Sequence, residues 1–448
     1  ASTTGNVITG QGLPNPNPTV TKNWGQLPAG RQWGTTAGID IDPKDGNVWA
    51  YERCGAGASG GAGGGPVDCD TNQVDPVFKF DRKTGAVLAN FGKGVMVTPH
   101  GISVDRDGNV WIADFSGNKA GTKGHQVHKF SPKGEKLLSL GTAGKPGNAD
   151  GQFNQPNDVV VGPDGSIYVA DGHDAQGMTT NQAIQEGLAR GATSRISKFS
   201  PDGKFIKSWG KIGVKHGEFR TPHALMFDAK GRLWVADRGN HRLEIFDADG
   251  KYLESRYMFG RISGFTIRNN MLYTIDSESG PWNHTNWRDG VRVGPLDEDR
   301  VTAFVPPFER EDRGYQGVAG EGIAVGGPIT QIPRLEVQVQ RASIGRLRKM
   351  PWVGRGLGSP GDGTASKRNG KETGQLGLAG HDNSLRGEPK SVRAATRGTV
   401  RCADQRKRRE PSLRRDKPIS SAGRFGASSV GRFATSGGIA HQGHESHC

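Results

Sequence analysis

Residues 99–114 read PHGISVDRDGNVWIAD: a short alternating stretch, a turn carrying Asp-Gly, and a second run of β-branched and aromatic residues. The same frame returns at 156–171 as PNDVVVGPDGSIYVAD and at 222–237 as PHALMFDAKGRLWVAD. An earlier copy at 38–52, GIDIDPKDGNVWAYE, ends on Glu52 where the others carry Asp. A weaker copy at 264–276 reads GFTIRNNMLYTID, and another begins at Gly320-Glu321-Gly322-Ile323-Ala324-Val325. Each copy has the signature of a β-hairpin. The following segments repeat as well: HKFSPKG at 128–134, SKFSPDG at 197–203 and EIFDADG at 244–250, each leading into a further strand. One unit is therefore four strands joined by tight turns. About six such units in tandem predict an all-β, six-bladed β-propeller over residues 35–325, preceded by an N-terminal extension at 1–34. Its last blade is incomplete, because Gly326-Gly327-Pro328 stands where the Asp-Gly turn should follow.

In a propeller the first strand of each blade lines the central channel, and its entry residue faces the axis. Aligning the copies puts Ala37, His100, Asn157, His223, Ser263 and Glu321 at that position. His100, His223 and Glu321 fall on blades two, four and six, a three-fold arrangement. Three converging ligands with an open position suit a metal; the plainer reading is a polar rim on a water-filled channel. A second ring comes from the end of strand two, where an acidic residue recurs as Glu52, Asp114, Asp171, Asp237 and Asp276. An acid in every blade reads as structural, accepting backbone N–H groups in a turn. The residues just after it differ between blades, and Arg53, His173 and Arg238 are the candidates for catalytic work.

These motifs make the units resemble NHL repeats. The chain further resembles peptidyl-α-hydroxyglycine α-amidating lyase, a propeller family with a zinc ion held by three channel histidines. Pro-His-Gly-Ile-Ser at 99–103, Gln155-Pro156, Asp171-Gly172, Phe199-Ser200-Pro201, Trp209-Gly210, Pro222-His223 and Val235-Ala236-Asp237-Arg238 carry that likeness. It implies His100 and His223 as metal ligands and Arg53 as the arginine facing substrate. Three positions depart from the family: Glu321 replaces the third zinc histidine, His173 replaces a tyrosine, and Gly322 replaces a calcium-binding acid. The likeness thus implies a His₂Glu centre for zinc, or alternatively iron, with calcium as a second family cofactor. In the family's reaction a metal-bound hydroxyl loses its proton to a base, and C–N cleavage gives an amide and glyoxylate. His173 is the candidate base, since imidazole titrates near neutrality.

The chain has 448 residues, 70 of them glycine, and a net charge of +14. No run of eighteen apolar residues exists, which excludes a membrane-spanning helix. Residues 1–325 hold 36 basic and 36 acidic residues, so the surplus lies entirely in 326–448, with 23 basic and 9 acidic. Only Trp352, Phe425 and Phe433 are aromatic there. That tail is non-globular in composition. It reads either as a frame-slipped translation or as a disordered basic arm able to bind nucleic acid or anionic surfaces. Cys54 and Cys69 flank a glycine-rich loop and are expected to form a disulfide, which favours a secreted or periplasmic protein. The polar start at Ala1 fits a chain trimmed of a signal, although a cytosolic chain lacking its Met reads the same way. Two functional readings remain: a metal-dependent lyase or hydrolase acting on a small-molecule or peptide substrate, and a non-catalytic NHL propeller that binds a protein or ligand.

Overall fold

A computed structural model describes residues 5–19, 21, 24–31, 33–55, 68–280, 283–307 and 320–326, and the backbone of 337–338. The frame-slip and basic-arm readings of the tail fall outside these residues. Every hairpin predicted from the repeats forms an antiparallel pair, and the pairs join into four-stranded sheets. Blade one comprises β1 (Ile39–Ile41), β2 (Val48–Tyr51), β3 (Val77–Phe80) and β4 (Val87–Phe91). Blade two is β5 (Pro99–Val104) to β8 (Lys136–Leu140), with β6 (Val110–Asp114) and β7 (Gln126–Phe130) between. Blade three contains β9 (Pro156–Val161), β10 (Ile167–Asp171), β11 (Arg195–Phe199) and β12 (Phe205–Trp209). Blade four contains β13 (Pro222–Phe227), β14 (Leu233–Asp237), β15 (Arg242–Phe246) and β16 (Tyr252–Arg256). Blade five contains β17 (Ile262–Arg268), β18 (Met271–Asp276), β19 (Gly290–Pro295) and β20 (Ala303–Val305).

The described residues form an all-β propeller of five complete four-stranded blades; of the six expected, the last, expected to be incomplete, does not form a blade. Of the sixth unit there is β21 (Ala324–Val325), which lies against β1 and β17 and pairs with β22 (Val337–Gln338). The physical reason is in the sequence, since Gly326 follows where a turn Asp and a β-branched second strand would be needed.

Between blades the cores are apolar layers. One joins Trp49, Val77 and Phe91 of blade one to Ile102, Val110 and Phe130 of blade two. The N-terminal residues are part of this packing. Leu13 is buried against Phe304, and the Phe304 and Arg288 amides donate to Pro14 and Ile8 carbonyls, so residues 5–14 lie along blade five. Among the described residues no helix is long and apolar enough to cross a membrane.

A tryptophan–aspartate pair fixes three of the turns. Trp49, Trp111 and Trp234 on the second strands donate Nε1–H to Asp42, Asp105 and Asp228 of the preceding turns, at 3.0, 3.0 and 2.9 Å. In blade three the pair is missing on both sides at once. Gly162 stands in the turn, and Tyr168 sends its hydroxyl 2.8 Å to the Ala248 carbonyl of blade four. Each carboxylate also accepts its own turn's amides, as Asp105 does from Asp107 and Asn109. The acid ring at the end of strand two is structural, as expected. Asp114 accepts the Val97 and Thr98 amides, and Asp171, Asp237 and Asp276 accept those of Asn154, Arg220 and Arg261.

Asp105→Ala should therefore leave the buried Trp111 Nε1–H without an acceptor and cost about 3 kcal/mol, read from urea unfolding. A second expectation concerns acid. His128 is buried, its Nδ1 meets Ser139 Oγ at 2.9 Å, and its Nε2 has no partner among the described residues. Burial, helped by Lys136, pushes its pKa down to about 4. The unfolded chain protonates this ring below about 6.5 while the folded one does not, so stability falls as the pH drops. His128→Leu should make the loss of stability between pH 7 and pH 5 smaller by about 2 kcal/mol.

Candidate functional site

Four inner strands begin with a break in register, and the break falls on the entry residue. Pro222 pairs with Asp237 and Ala224 with Ala236, so His223 is skipped. Ser263 is skipped between Ile262 and Gly264, Asn157 at the start of β9, and His100 and Gly101 at the start of β5. A bulged residue is freed from the ladder and its side chain re-aimed. Here it turns to the channel, and in three of the four strands it bonds to the next blade. His100 Nδ1 meets the Asn157 carbonyl at 2.8 Å, Asn157 Nδ2 the Pro222 carbonyl at 2.7 Å, and His223 Nδ1 the Ser263 carbonyl at 2.6 Å. Arg53 Nε starts the series with 2.9 Å to the Pro99 carbonyl.

His100 and His223 thus converge, as the register predicted. The third member is His173 instead of Glu321: potential ligand atoms of His100, His173 and His223 all lie within 4.8 Å of one another. Among the described residues this is the one such group of three. The three imidazoles come from consecutive blades two, three and four, not alternating ones. Gly172 is the cause. It has φ 115°, and a Cβ there would sit 1.9 Å from the Thr193 carbonyl oxygen, so only glycine fits. The amides of Gly172 and His173 both donate to the Gln155 carbonyl. That extra residue carries His173 inward to meet the edge of His100, with ring centres 5.2 Å apart.

Glu321 pairs instead with Arg238, whose Nη1 is 3.3 Å from its Oε1. The same guanidinium reaches His173 Nε2 at 3.2 Å and Gln176 Oε1 at 2.8 Å, and stands 3.7 Å from Glu278. Arg261 binds Gln176 and Glu278 from the other side, at 2.7 and 2.8 Å. Arg53 differs from Arg238: among the described residues its terminal nitrogens make no hydrogen bond or ion pair. His100, His223 and Glu321 line a central cavity of about 520 Å³.

The electrostatics follow from burial among guanidinium groups. His100, His173 and His223 are all held well below the ordinary imidazole pKa, first by burial and then by Arg53 or Arg238. They are neutral at neutral pH, the form that donates a lone pair to a metal. Burial raises the Glu321 pKa against the opposing pull of Arg238, while Arg238 lowers that of Glu278. The triad fits a divalent metal. Carbonyls fix Nδ1–H on His100 and His223, leaving Nε2 of each available to a metal, and His223 Nε2 is buried with no partner among the described residues. Arg238 at His173 Nε2 is a contact that a metal would compete with. Gly322 offers no carboxylate for calcium, and the channel acids Asp40 and Asp158 are occupied by the Val104 and Leu225 amides.

Several residues of this cluster were not singled out from the sequence. Arg261 occupies the position before the inner strand, where the other blades have Thr98, Gln155 and Thr221, so comparison of repeats could have found it. Gln176 and Glu278 lie in insertions outside the repeat and left no such signal. Phe115 follows Asp114 as Arg53 follows Glu52, and its ring packs on His100 and His173. Cys54 and Cys69 form the expected disulfide immediately after Arg53.

Comparison with known proteins agrees with this architecture. The NHL repeat model matches residues 97–130, 153–176 and 219–246, the inner parts of blades two, three and four. Peptidyl-glycine alpha-amidating monooxygenase B of Xenopus laevis is 34% identical over 312 residues, covering 64% of this chain and 32% of that protein. Peptidyl-alpha-hydroxyglycine alpha-amidating lyase 1 of Drosophila melanogaster is 31% identical over 193 residues, 40% of this chain and 31% of the relative. NHL repeat-containing protein 3 of Homo sapiens is 36% identical over 162 residues, 35% of this chain and 41% of the relative. The chain therefore spans less than half the length of each of these relatives. It is an all-β propeller protein with NHL repeats, similar in sequence to amidating lyases and monooxygenases.

Proposed function

We propose that the chain is a metal-dependent C–N lyase that cleaves peptidyl-α-hydroxyglycines to a peptide amide and glyoxylate. The observation that carries this reading is the pairing of three neutral imidazoles, two of them oriented by backbone carbonyls, with an arginine whose fork is free among the described residues. His100, His173 and His223 would hold the metal, and three nitrogen ligands favour zinc over the iron that a His₂Glu set would also admit. When bound, the metal supplies Lewis acidity toward a hydroxyl or carbonyl oxygen. Arg53, anchored through Nε to Pro99, presents its two terminal nitrogens to the substrate carboxylate, a bidentate match of planar groups. Arg238, held by Glu321 and Gln176, keeps positive potential over the oxygen where charge develops. The Cys54–Cys69 bond suits an oxidising compartment, and we propose secretion or periplasmic export accordingly.

The rival is a non-catalytic propeller that binds a protein or ligand, and metal content separates the two. Protein purified without a histidine tag should carry about one zinc per chain by elemental analysis, and chelation should abolish glyoxylate release. His100→Ala should lose metal and activity together. Arg53→Ala should keep the metal and lose roughly 100-fold in turnover, in line with removal of a charged transition-state contact. Protein without stoichiometric metal, or holoprotein that releases no glyoxylate, supports the binding-module reading.

A further inference from the structure

The mechanism above leaves the proton acceptor open, because His173, its candidate by sequence, stands among the metal ligands. We propose that Glu321 is the general base of the site and not a metal ligand, an inference that rests on the lyase reading. Four observations place it there. Glu321 occupies the blade-six entry position, so it faces the same axis as His100 and His223 and lines the same cavity. It is excluded from the ligand group, which closes with His173. A single guanidinium, that of Arg238, joins Glu321 Oε1 to His173 Nε2, so the carboxylate lies one side chain away from the triad. Arg238 engages Oε1 only, and among the described residues Oε2 makes no hydrogen bond, which leaves its lone pairs for a substrate proton.

The proton inventory then closes without a co-reactant. Glu321 takes the proton of the α-hydroxyl; the O–H electron pair becomes the carbonyl bond of glyoxylate. The C–N bond breaks with its pair on nitrogen, and the amide nitrogen takes the proton back from Glu321. Nothing is oxidised or reduced overall, and the base is regenerated. Arg238 is a positioning residue here: its bond to Oε1 sets the rotamer that keeps Oε2 over the reacting hydroxyl. The competing role for Glu321 is that of a plain counter-ion for Arg238, which needs no proton transfer.

The experiment compares wild type, Glu321→Gln and Glu321→Ala as purified holoproteins, with zinc stoichiometry, KM, kcat for glyoxylate release, and added formate as the probe. Glu321→Gln keeps an Arg238 partner of the same shape and should fold as wild type does by circular dichroism. It should retain one zinc per chain and a KM within about threefold, while kcat falls about 100-fold or more, the usual contribution of a general base. Formate should restore at least about tenfold of the activity lost in Glu321→Ala, which a counter-ion role does not predict. Loss of zinc from Glu321→Gln overturns the proposal in favour of a ligand role. A kcat within tenfold of wild type, or no response to formate, overturns it in favour of a counter-ion. Wild type that contains zinc but releases no glyoxylate overturns the lyase reading itself, and the base assignment with it.

Discussion

The site depends on one repeated contact: a channel-facing side chain that bonds to the entry segment of the next blade. Arg53 to Pro99, His100 to Asn157, Asn157 to Pro222 and His223 to Ser263 make a series running from blade one to blade five. Each bond has two consequences. It fixes one blade against its neighbour at the mouth of the channel, where apolar packing alone would allow the sheets to slide. It also fixes the tautomer, because an imidazole that gives its Nδ1 proton to a carbonyl keeps the Nε2 lone pair. Blade registration and the orientation of two channel imidazoles thus rest on the same set of hydrogen bonds.

Charge around the triad is balanced locally and not by solvent. Arg238 and Arg261 are nearly sealed from water and are met by Glu278, Glu321 and the Gln176 side chain. Such a network is costly to break by removing one partner, since the other charge is then stranded in a low-dielectric interior. Three neutral imidazoles beside these guanidiniums leave the mouth positive, which suits an anionic substrate, and the unengaged fork of Arg53 is where that potential becomes a specific contact.

Much of the fold was legible because the chain contains its own comparison set. The 99–114 frame located every inner hairpin, and even the exchange of tryptophan for tyrosine in blade three is explained by the simultaneous loss of its turn aspartate. His100 and His223 were legible for the same reason, as equivalent positions in equivalent strands. His173 was assigned to the open face, and Glu321 to the ligand set, because symmetry was assumed to hold through the third ligand. The deviation is caused by a backbone detail, the positive φ of Gly172, which adds one residue between the acid and the histidine. Repeats predict what blades share, and this ligand depends on what blade three does not share. The incompleteness of the last unit was legible in the same way, since no repeat follows Val325 from which outer strands could be read.

The exchange between His173 and Glu321 has a mechanistic logic of its own. Three imidazoles and one remote carboxylate use the same residue types as two imidazoles, a ligating carboxylate and a free imidazole, but the charge distribution differs. A carboxylate ligand would neutralise part of the metal's charge and weaken its pull on a hydroxyl, whereas neutral imidazoles preserve it. The displaced carboxylate is held by Arg238, whose charge opposes the upward push of burial on its pKa, and it stands where the proposed reaction would release a proton. A buried imidazole in that place would be a poor base, because burial and the adjacent guanidiniums push its pKa well down. In the proposed reaction this arrangement would put the neutral rings toward a metal and the carboxylate toward the proton.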